Sequence, residues 1–379
     1  MWKLRTESEK FLHLDAIRII SSILVVIYHY RNQWNFGSTF GSDYPQFEVL
    51  RLSVDMFFVI SGAIICYCYG EMRGSIEFCQ FMWKRGARLL PLHWATLAFY
   101  VLVGLVYMRI DASPGDPSKY DWNCLIPNAL LLNSFHLCPG HSFNHVSWSI
   151  SAEMFCYAAF PASLMIIKWR RWAPAALAAA WIVGLFAMQS TLPEDWTNLT
   201  HDFGVIRSLP AFLLGMSAFA LRYEIARFLV VPAAALVFGL GCLIIGAIFL
   251  LPIQLLIFLV YFIAISAIAA DTKESGTFVR FLAPWGQLAY GVYMLHTVVR
   301  TIIFSICAKG YLGSSIAVQN LALVICFFAF FGLAYVSFFA FERPARKWLC
   351  SLWSESERQA PKAVMSENDS VIPRPAPLG

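Results

Sequence analysis

The chain has 379 residues, of which 59% are hydrophobic and only 13% charged. A soluble globular domain carries about 25% charged residues, so the composition excludes an ordinary soluble enzyme and points to a polytopic, all-α membrane protein. The formal net charge of +5 is no signal for nucleic acid, because a membrane protein gathers Lys and Arg in its cytoplasmic loops.

Lys3, Arg5 and Lys10 precede the first apolar run, and no small-residue cleavage site follows. An uncleaved signal-anchor helix fits that pattern. Windows of about 20 apolar residues predict ten transmembrane helices, at 12–30, 52–70, 89–108, 146–167, 173–189, 205–221, 228–250, 253–270, 284–306 and 317–341. The segment 125–135, LIPNALLLNSF, is too short to span and is expected in the interface or re-entering it. With the N-terminus in the cytoplasm, twenty Lys and Arg fall in inside segments and six outside. That bias puts both termini in the cytoplasm, with 31–51 and 109–145 as the large outer loops. The chain then divides into a cytoplasmic tail (1–10), a membrane domain (11–348) and a polar, Ser/Glu/Pro-rich tail (349–379) expected to be disordered. Pro344 is expected to end the last helix.

The first helix, LDAIRIISSILVVIYHY (14–30), carries charge where a span should be apolar. At 100° per residue Arg18 and His29 lie about 20° apart in direction. Asp15 and Ser22 fall near the same line, so the four form one polar stripe, which in a membrane faces the bundle interior or a water-filled cavity. A local Asp15–Arg18 pair explains Asp15 equally well. Asp55, in VDMFFVISG (54–62), taken alone is a carboxylate favoured by the start of its helix. It lies on the same side as His29 and is a candidate to orient that imidazole. Arg85 and Arg88, in the predicted cytoplasmic loop WKRGARLLPLHW (83–94), are three residues apart. They are either ordinary positive-inside residues or a clamp for phosphates, with His93 and Trp94 candidates for the same opening. Glu153, in NHVSWSISAEMFCYAAFP (144–161), is an intramembrane carboxylate that requires a partner. Tyr293, His296 and Arg300 share one helix face. The ten cysteines show no metal-ligand spacing, and no metal is expected. Cys124 and Cys138 share the loop 109–145 and are candidates to pair if it meets an oxidising compartment.

Taken in order, LDAIRIISSILVVIYH, VDMFFVISG, KRGARLLPLHW, WSISAE, AYGVYMLH and FERP resemble the acyltransferase 3 family of integral membrane O-acyltransferases, over residues 11–348. The chain departs from the family's usual Tyr at His93. The resemblance implies transfer of an acyl group, acetyl above all, from cytoplasmic acyl-CoA to a hydroxyl of a cell-surface or exported polysaccharide or glycolipid. It implies His29, Arg18 and Glu153 as catalytic candidates, to which Asp55 is added from its position beside His29, and Arg85, Arg88 and Arg18 as acyl-CoA contacts. Trp148, Tyr293 and His296 are implied for substrate or supporting contacts. The partners expected are the lipid bilayer, acyl-CoA and a glycan or glycolipid, with no nucleic acid, and the location is the inner (cytoplasmic) membrane. The competing class is a proton-coupled transporter, which the intramembrane Arg, His and Glu would also suit, although no inverted repeat is visible.

Overall fold

The computed structural model describes residue 4 and residues 11–31, 45–110, 116–192, 194–229, 231–304 and 315–359. These form an all-helical bundle with no strand among the described residues. The principal helices are α1 (Leu12–Tyr30), α2 (Ser53–Tyr69), α3 (Ser75–Arg109), a short α4 (Leu125–Ala129), α5 (Trp148–Trp169) and α6 (Ala173–Ala187). They continue with α7 (Gly204–Ala220), α8 (Arg222–Phe228), α9 (Pro232–Ile248), α10 (Ile253–Ala270), α11 (Thr277–Leu282), α12 (Ala289–Arg300), α13 (Ile316–Ser337) and α14 (Arg343–Gln359).

Each of the ten expected segments contains a helix. Length and apolarity qualify six helical stretches as membrane spans, or seven if α7 and α8, bent by 79° at their junction, form one. The shorter α6 and α9, of 15 and 17 residues, are apolar but fall below spanning length, and α12 has 12 residues.

Two local expectations change. Residues 83–94 are not a loop: α3 starts at Ser75 and continues through Pro91 to Arg109, 35 residues in all. Arg85 and Arg88 therefore sit on a regular helix, one turn apart. Pro344 does not end the last helix either. A wide π-helical turn, Phe338–Glu342, precedes it, and Pro344 falls in the first turn of α14, where its missing N–H costs little. Helix thus continues to Gln359, ten residues past the expected start of the polar tail; residues 360–379, like 1–3 and 5–10, lie outside the described residues. The segment 125–135 makes one turn of helix and then docks on the start of α5. Asn133 Nδ2 donates to Ser147 Oγ at 3.0 Å, and the Ser134 and Ser151 hydroxyls are 2.7 Å apart.

The crossing of α2 and α7 organises the bundle. Gly62 of α2 lies against the Phe212 carbonyl of α7, and Gly215 of α7 against the Val59 carbonyl of α2. A Cβ at either glycine would collide with backbone, so the two helices touch main chain to main chain. In a bilayer, where lipid competes for apolar contact, such small-residue crossings let helices associate through close packing. Gly215→Ala should push α2 and α7 apart, and overpacking of this kind costs about 1–3 kcal/mol. The expected readout is a lower midpoint in thermal unfolding of the detergent-solubilised protein, with Gly184→Ala, which meets nothing within 4 Å, as a silent control.

Candidate active site: two cavities meeting at Tyr293

Two cavities lie in the bundle between α1, α2, α5 and α12. The first, about 80 Å3, is bordered by Arg18 of α1, Ser61 of α2, Arg85 and Arg88 of α3, and Glu153 and Tyr157 of α5. The second, about 230 Å3, is bordered by His29 at the end of α1, by Arg51, Trp148 and Arg207, and by His141, His145 and His201 from the connecting segments. Tyr293 of α12 borders both. Both volumes exceed the 10–15 Å3 or so that one water needs, and both walls carry the polar partners that hold water.

The first cavity is cationic. Three guanidiniums face it against one carboxylate. Glu153 finds the partners its position demands: the Ser61 and Tyr157 hydroxyls both donate to Oε1. Arg85 donates to the Tyr69 hydroxyl at 3.3 Å and lies over the Tyr69, Phe81 and Tyr157 rings at 5.3–5.9 Å. Its Nε has no partner among the described residues, so this cation is held by ring faces and keeps donor capacity for a ligand. Arg18 stands 3.5 Å from Asp15 one turn away, the local pair anticipated for that carboxylate. The Ser22 hydroxyl leaves the stripe's cavity side and donates to the Ala289 carbonyl of α12 at 2.9 Å.

In the second cavity His29 is half-buried. Its ring lies 5.0 Å from that of His145 and 5.2 Å from that of His296, centroid to centroid. Arg300 donates to the His29 carbonyl at 2.8 Å and closes the end of α1. The face shared by Tyr293, His296 and Arg300 is therefore the face α12 turns to α1. The Tyr293 hydroxyl donates to the Val146 carbonyl at 3.0 Å and accepts from Ser149 at 2.7 Å. The dividing side chain is thus fixed to the first turn of α5. His296 is fully buried; Nδ1, 3.3 Å from the Val292 carbonyl, donates to it, and Nε2 has no partner among the described residues.

Three candidates sit elsewhere than the sequence suggests. Asp55 is buried, but it meets Arg207 and not His29. Arg207 donates to it from Nε at 3.1 Å and from the terminal nitrogen at 2.5 Å, a bidentate pair. The reason is electrostatic: a guanidinium fork matches a carboxylate better than an imidazole and stays charged at any working pH. Arg207 also lies 5.5 Å from the Trp148 ring. His93 and Trp94 do not join the first cavity. They donate to the Asn128 and Ala129 carbonyls, at 2.8 and 2.9 Å, and tie α4 to α3. Nearby Cys124 and Cys138 are joined, with Cα atoms 5.8 Å apart.

His141, His145, His201 and Arg207 were not assigned to the site from sequence. The one signal available was density: three of the eight histidines fall within residues 136–145. His201 and Arg207 come from a distant part of the chain, and only folding brings them to His29.

With this geometry in view, the class of protein is defined by comparison with known families. Residues 11–340 match the family model described as "Acyltransferase domain", and the chain belongs to that acyltransferase family. Among named relatives, it is 23% identical to an O-acetyltransferase, OatA, of Staphylococcus aureus, over 88% of this chain and 57% of that protein. It is 29% identical to the acyltransferase MdmB of Streptomyces mycarofaciens over 34% of this chain and 33% of that protein. It is 27% identical to a peptidoglycan O-acetyltransferase, OatA, of Listeria monocytogenes over 41% and 24% respectively. The chain thus covers a little over half of the Staphylococcus relative and less of the other two. No solved structure matches it.

The Asp55–Arg207 pair gives a prediction. Removing one member of a buried pair leaves an unpaired charge and costs about 3–5 kcal/mol. Arg207→Met should therefore lower the thermal midpoint strongly. Adding Asp55→Asn to it should restore part of the loss, because the stranded carboxylate is gone.

Proposed function

We propose that the protein is a membrane O-acyltransferase. In this reading it carries an acyl group, acetyl in the first instance, from a cytoplasmic acyl-CoA to a hydroxyl of an extracytoplasmic glycan or glycolipid. The observation that carries the reading is the division of labour between the two cavities. One is lined by Arg18, Arg85 and Arg88, and the other by His29, with Tyr293 common to both. Permanent cations suit the phosphates of a CoA, and an imidazole suits a hydroxyl that must lose a proton. The names of the relatives, an O-acetyltransferase and a peptidoglycan O-acetyltransferase, support acetyl as the group and a glycan as the acceptor.

In this reading both termini are cytoplasmic, ten segments cross or enter the inner membrane, and the His29 end faces outward. The charge bias of the loops supports that orientation. So does the Cys124–Cys138 bond, since disulfides persist in oxidising compartments. Arg85 and Arg88 hold the CoA phosphates at the inner mouth, and Arg18 steadies the arm. Arg18 and His29 are eleven residues apart on one helix, or about 16 Å, a gap that a long flexible thioester arm bridges and a compact donor does not. Passing Tyr293, the arm presents its thioester to the second cavity. There His29 takes the acceptor proton as the new C–O bond forms and the C–S bond breaks. Asp55, committed to Arg207, braces the wall of this cavity. Glu153, held by Ser61 and Tyr157, balances the guanidiniums around it.

Two outcomes test the reading with purified full-length protein, acetyl-CoA and soluble peptidoglycan oligosaccharides, scored by thiol release and product mass. His29→Ala should lower kcat by about 100-fold or more, the scale of general base catalysis, with KM for acetyl-CoA little changed. Undiminished transfer would remove His29 from the chemistry, and substrate flux without thiol release would favour a carrier. Arg85→Ala with Arg88→Ala should raise KM for acetyl-CoA at least tenfold. An unchanged value would remove both from the donor site.

A further inference from the structure

Six of the eight histidines form one file. It starts at His296 beside His29 and continues from His29 to His145, with ring centroids 5.2 and 5.0 Å apart. His141 follows at 6.1 Å from His145 and His201 at 4.5 Å from His141. The outer part is joined by hydrogen bonds and by one ion-pair contact. The Thr200 hydroxyl lies 3.2 Å from His141 Nε2 and 3.5 Å from His201 Nδ1. Asp202 Oδ1 then stands 3.2 Å from His201 Nε2, an ion-pair contact, and accepts from His136 Nδ1 at 2.6 Å. The His136 side chain is 52% exposed, so the file ends in solvent. No three His, Cys, Asp or Glu among the described residues are placed to hold a metal, so convergence on an ion does not explain the file.

We infer that this file is a proton exit path from His29 to solvent on the acceptor side, with Thr200, His201 and Asp202 as its fixed links. The inference rests on the acyltransferase reading above. The tautomers carry the direction. His201 Nε2 faces the Asp202 carboxylate at 3.2 Å and is the nitrogen that carries the proton there, which leaves Nδ1 to accept. The acceptor at Nδ1 takes the Thr200 proton, so the Thr200 oxygen in turn accepts from His141 Nε2. Every donor on the cavity side then points toward Asp202, and a proton entering at His141 displaces one onto the Asp202 carboxylate, whose side chain is 13% exposed and releases it to solvent beside His136. Burial and the neighbouring His201 hold the His141 pKa down to about 4, so at pH 7 it is a neutral ring able to accept on one nitrogen and donate from the other. The gap between His141 and His145 opens on the 230 Å3 cavity, which both rings border and which has room for a bridging water. The fixed charges facing the file are Arg31, Arg51, Arg207, Arg300, Lys119, Glu194 and Asp116. The cations crowd the His29 end and drive positive charge toward Asp202.

The balance closes. The acceptor oxygen bonds to the acyl carbon, the C–S bond breaks, and the acceptor proton passes from His29 along the file to solvent. The departing thiolate takes one proton from the cytoplasmic side. These links act through His29 and are positioning residues.

The test uses Thr200→Val, which keeps the shape and removes the hydroxyl, and Thr200→Ser, which keeps the hydroxyl. Acetyl-CoA and soluble peptidoglycan oligosaccharides serve as substrates for the full chain. Thr200→Val should lower kcat roughly tenfold or more with both KM values unchanged, and should raise the solvent deuterium isotope effect. Thr200→Ser should retain the wild-type rate, and millimolar imidazole should restore the Val variant. A Val variant as fast as wild type overturns the path. So does a raised acceptor KM at constant kcat, which would make these side chains a glycan-binding surface. So does a slowed variant that neither imidazole nor Ser restores. Should wild type and His29→Ala alike release no thiol, the acyltransferase reading itself fails and the path with it.

Discussion

The bidentate bond between Arg207 and Asp55 is the constraint on which the architecture around the histidine cavity depends. Both groups are fully buried, and in a membrane bundle neither can remain charged without the other. Asp55 is in the first turn of α2 and Arg207 in the first turn of α7, so the pair joins the beginnings of two helices whose backbones already touch at Gly62 and Gly215. The glycines set the distance between the helices, and the ion pair sets their register. Arg207 then presents its other face to Trp148, and Gly204 is pressed against the same indole ring. The start of α5 is thereby placed, and with it Ser149, the residue that holds Tyr293. One ion pair thus reaches, through three contacts, to the side chain that divides the two cavities.

Tyr293 is suited to that position by its chemistry. A phenol offers an apolar ring to seal a passage and one hydroxyl to anchor it. Here the hydroxyl is engaged twice, with Val146 and Ser149, so the ring is held by hydrogen bonds that a ligand can replace. A purely apolar residue would seal by packing alone and would open only by displacing its neighbours.

Much of this was legible in the sequence, and the misses share a physical cause. The ten helical segments followed from apolar run length, and α1 and α10 match their expected limits to the residue. The polar stripe of α1 followed from a 100° repeat, and Arg18 and His29 do border the two cavities. Glu153 was expected to have a partner, but its partners, Ser61 and Tyr157, lie on two helices and only the second is a helical neighbour. Asp55 illustrates the limit most clearly. Its proximity to the His29 end was readable from topology, while its choice of Arg207 depended on the crossing of α2 and α7, which no local pattern encodes. The length of α3 and the continuation through Pro344 were missed for a different reason. Proline and basic residues were read as punctuation, whereas an early helical position or a widened turn accommodates them.

The distribution of positive charge between the cavities carries the last step. Arginine cannot release its proton at any physiological pH, so a cavity lined by Arg18, Arg85 and Arg88 is a fixed field, able to attract and hold anions but unable to exchange protons with them. Histidine is the reverse. It is a weak electrostatic anchor when neutral, but it exchanges protons readily. The bundle assigns the first kind of cation to one side of Tyr293 and gathers the second kind on the other. Arg207 and Arg51 also border the histidine cavity, but the first is spent on Asp55 and the second on the Thr197 carbonyl and hydroxyl and on Glu48, 3.8 Å away, so they add structure there without adding a free anion site. A molecule needing only to bind an anion would have no reason to keep such a file of histidines. One needing only to move protons would have no reason to keep three guanidiniums around a single carboxylate. Both requirements meet in a reaction whose donor is a phosphate-bearing thioester and whose acceptor is a hydroxyl on the opposite side.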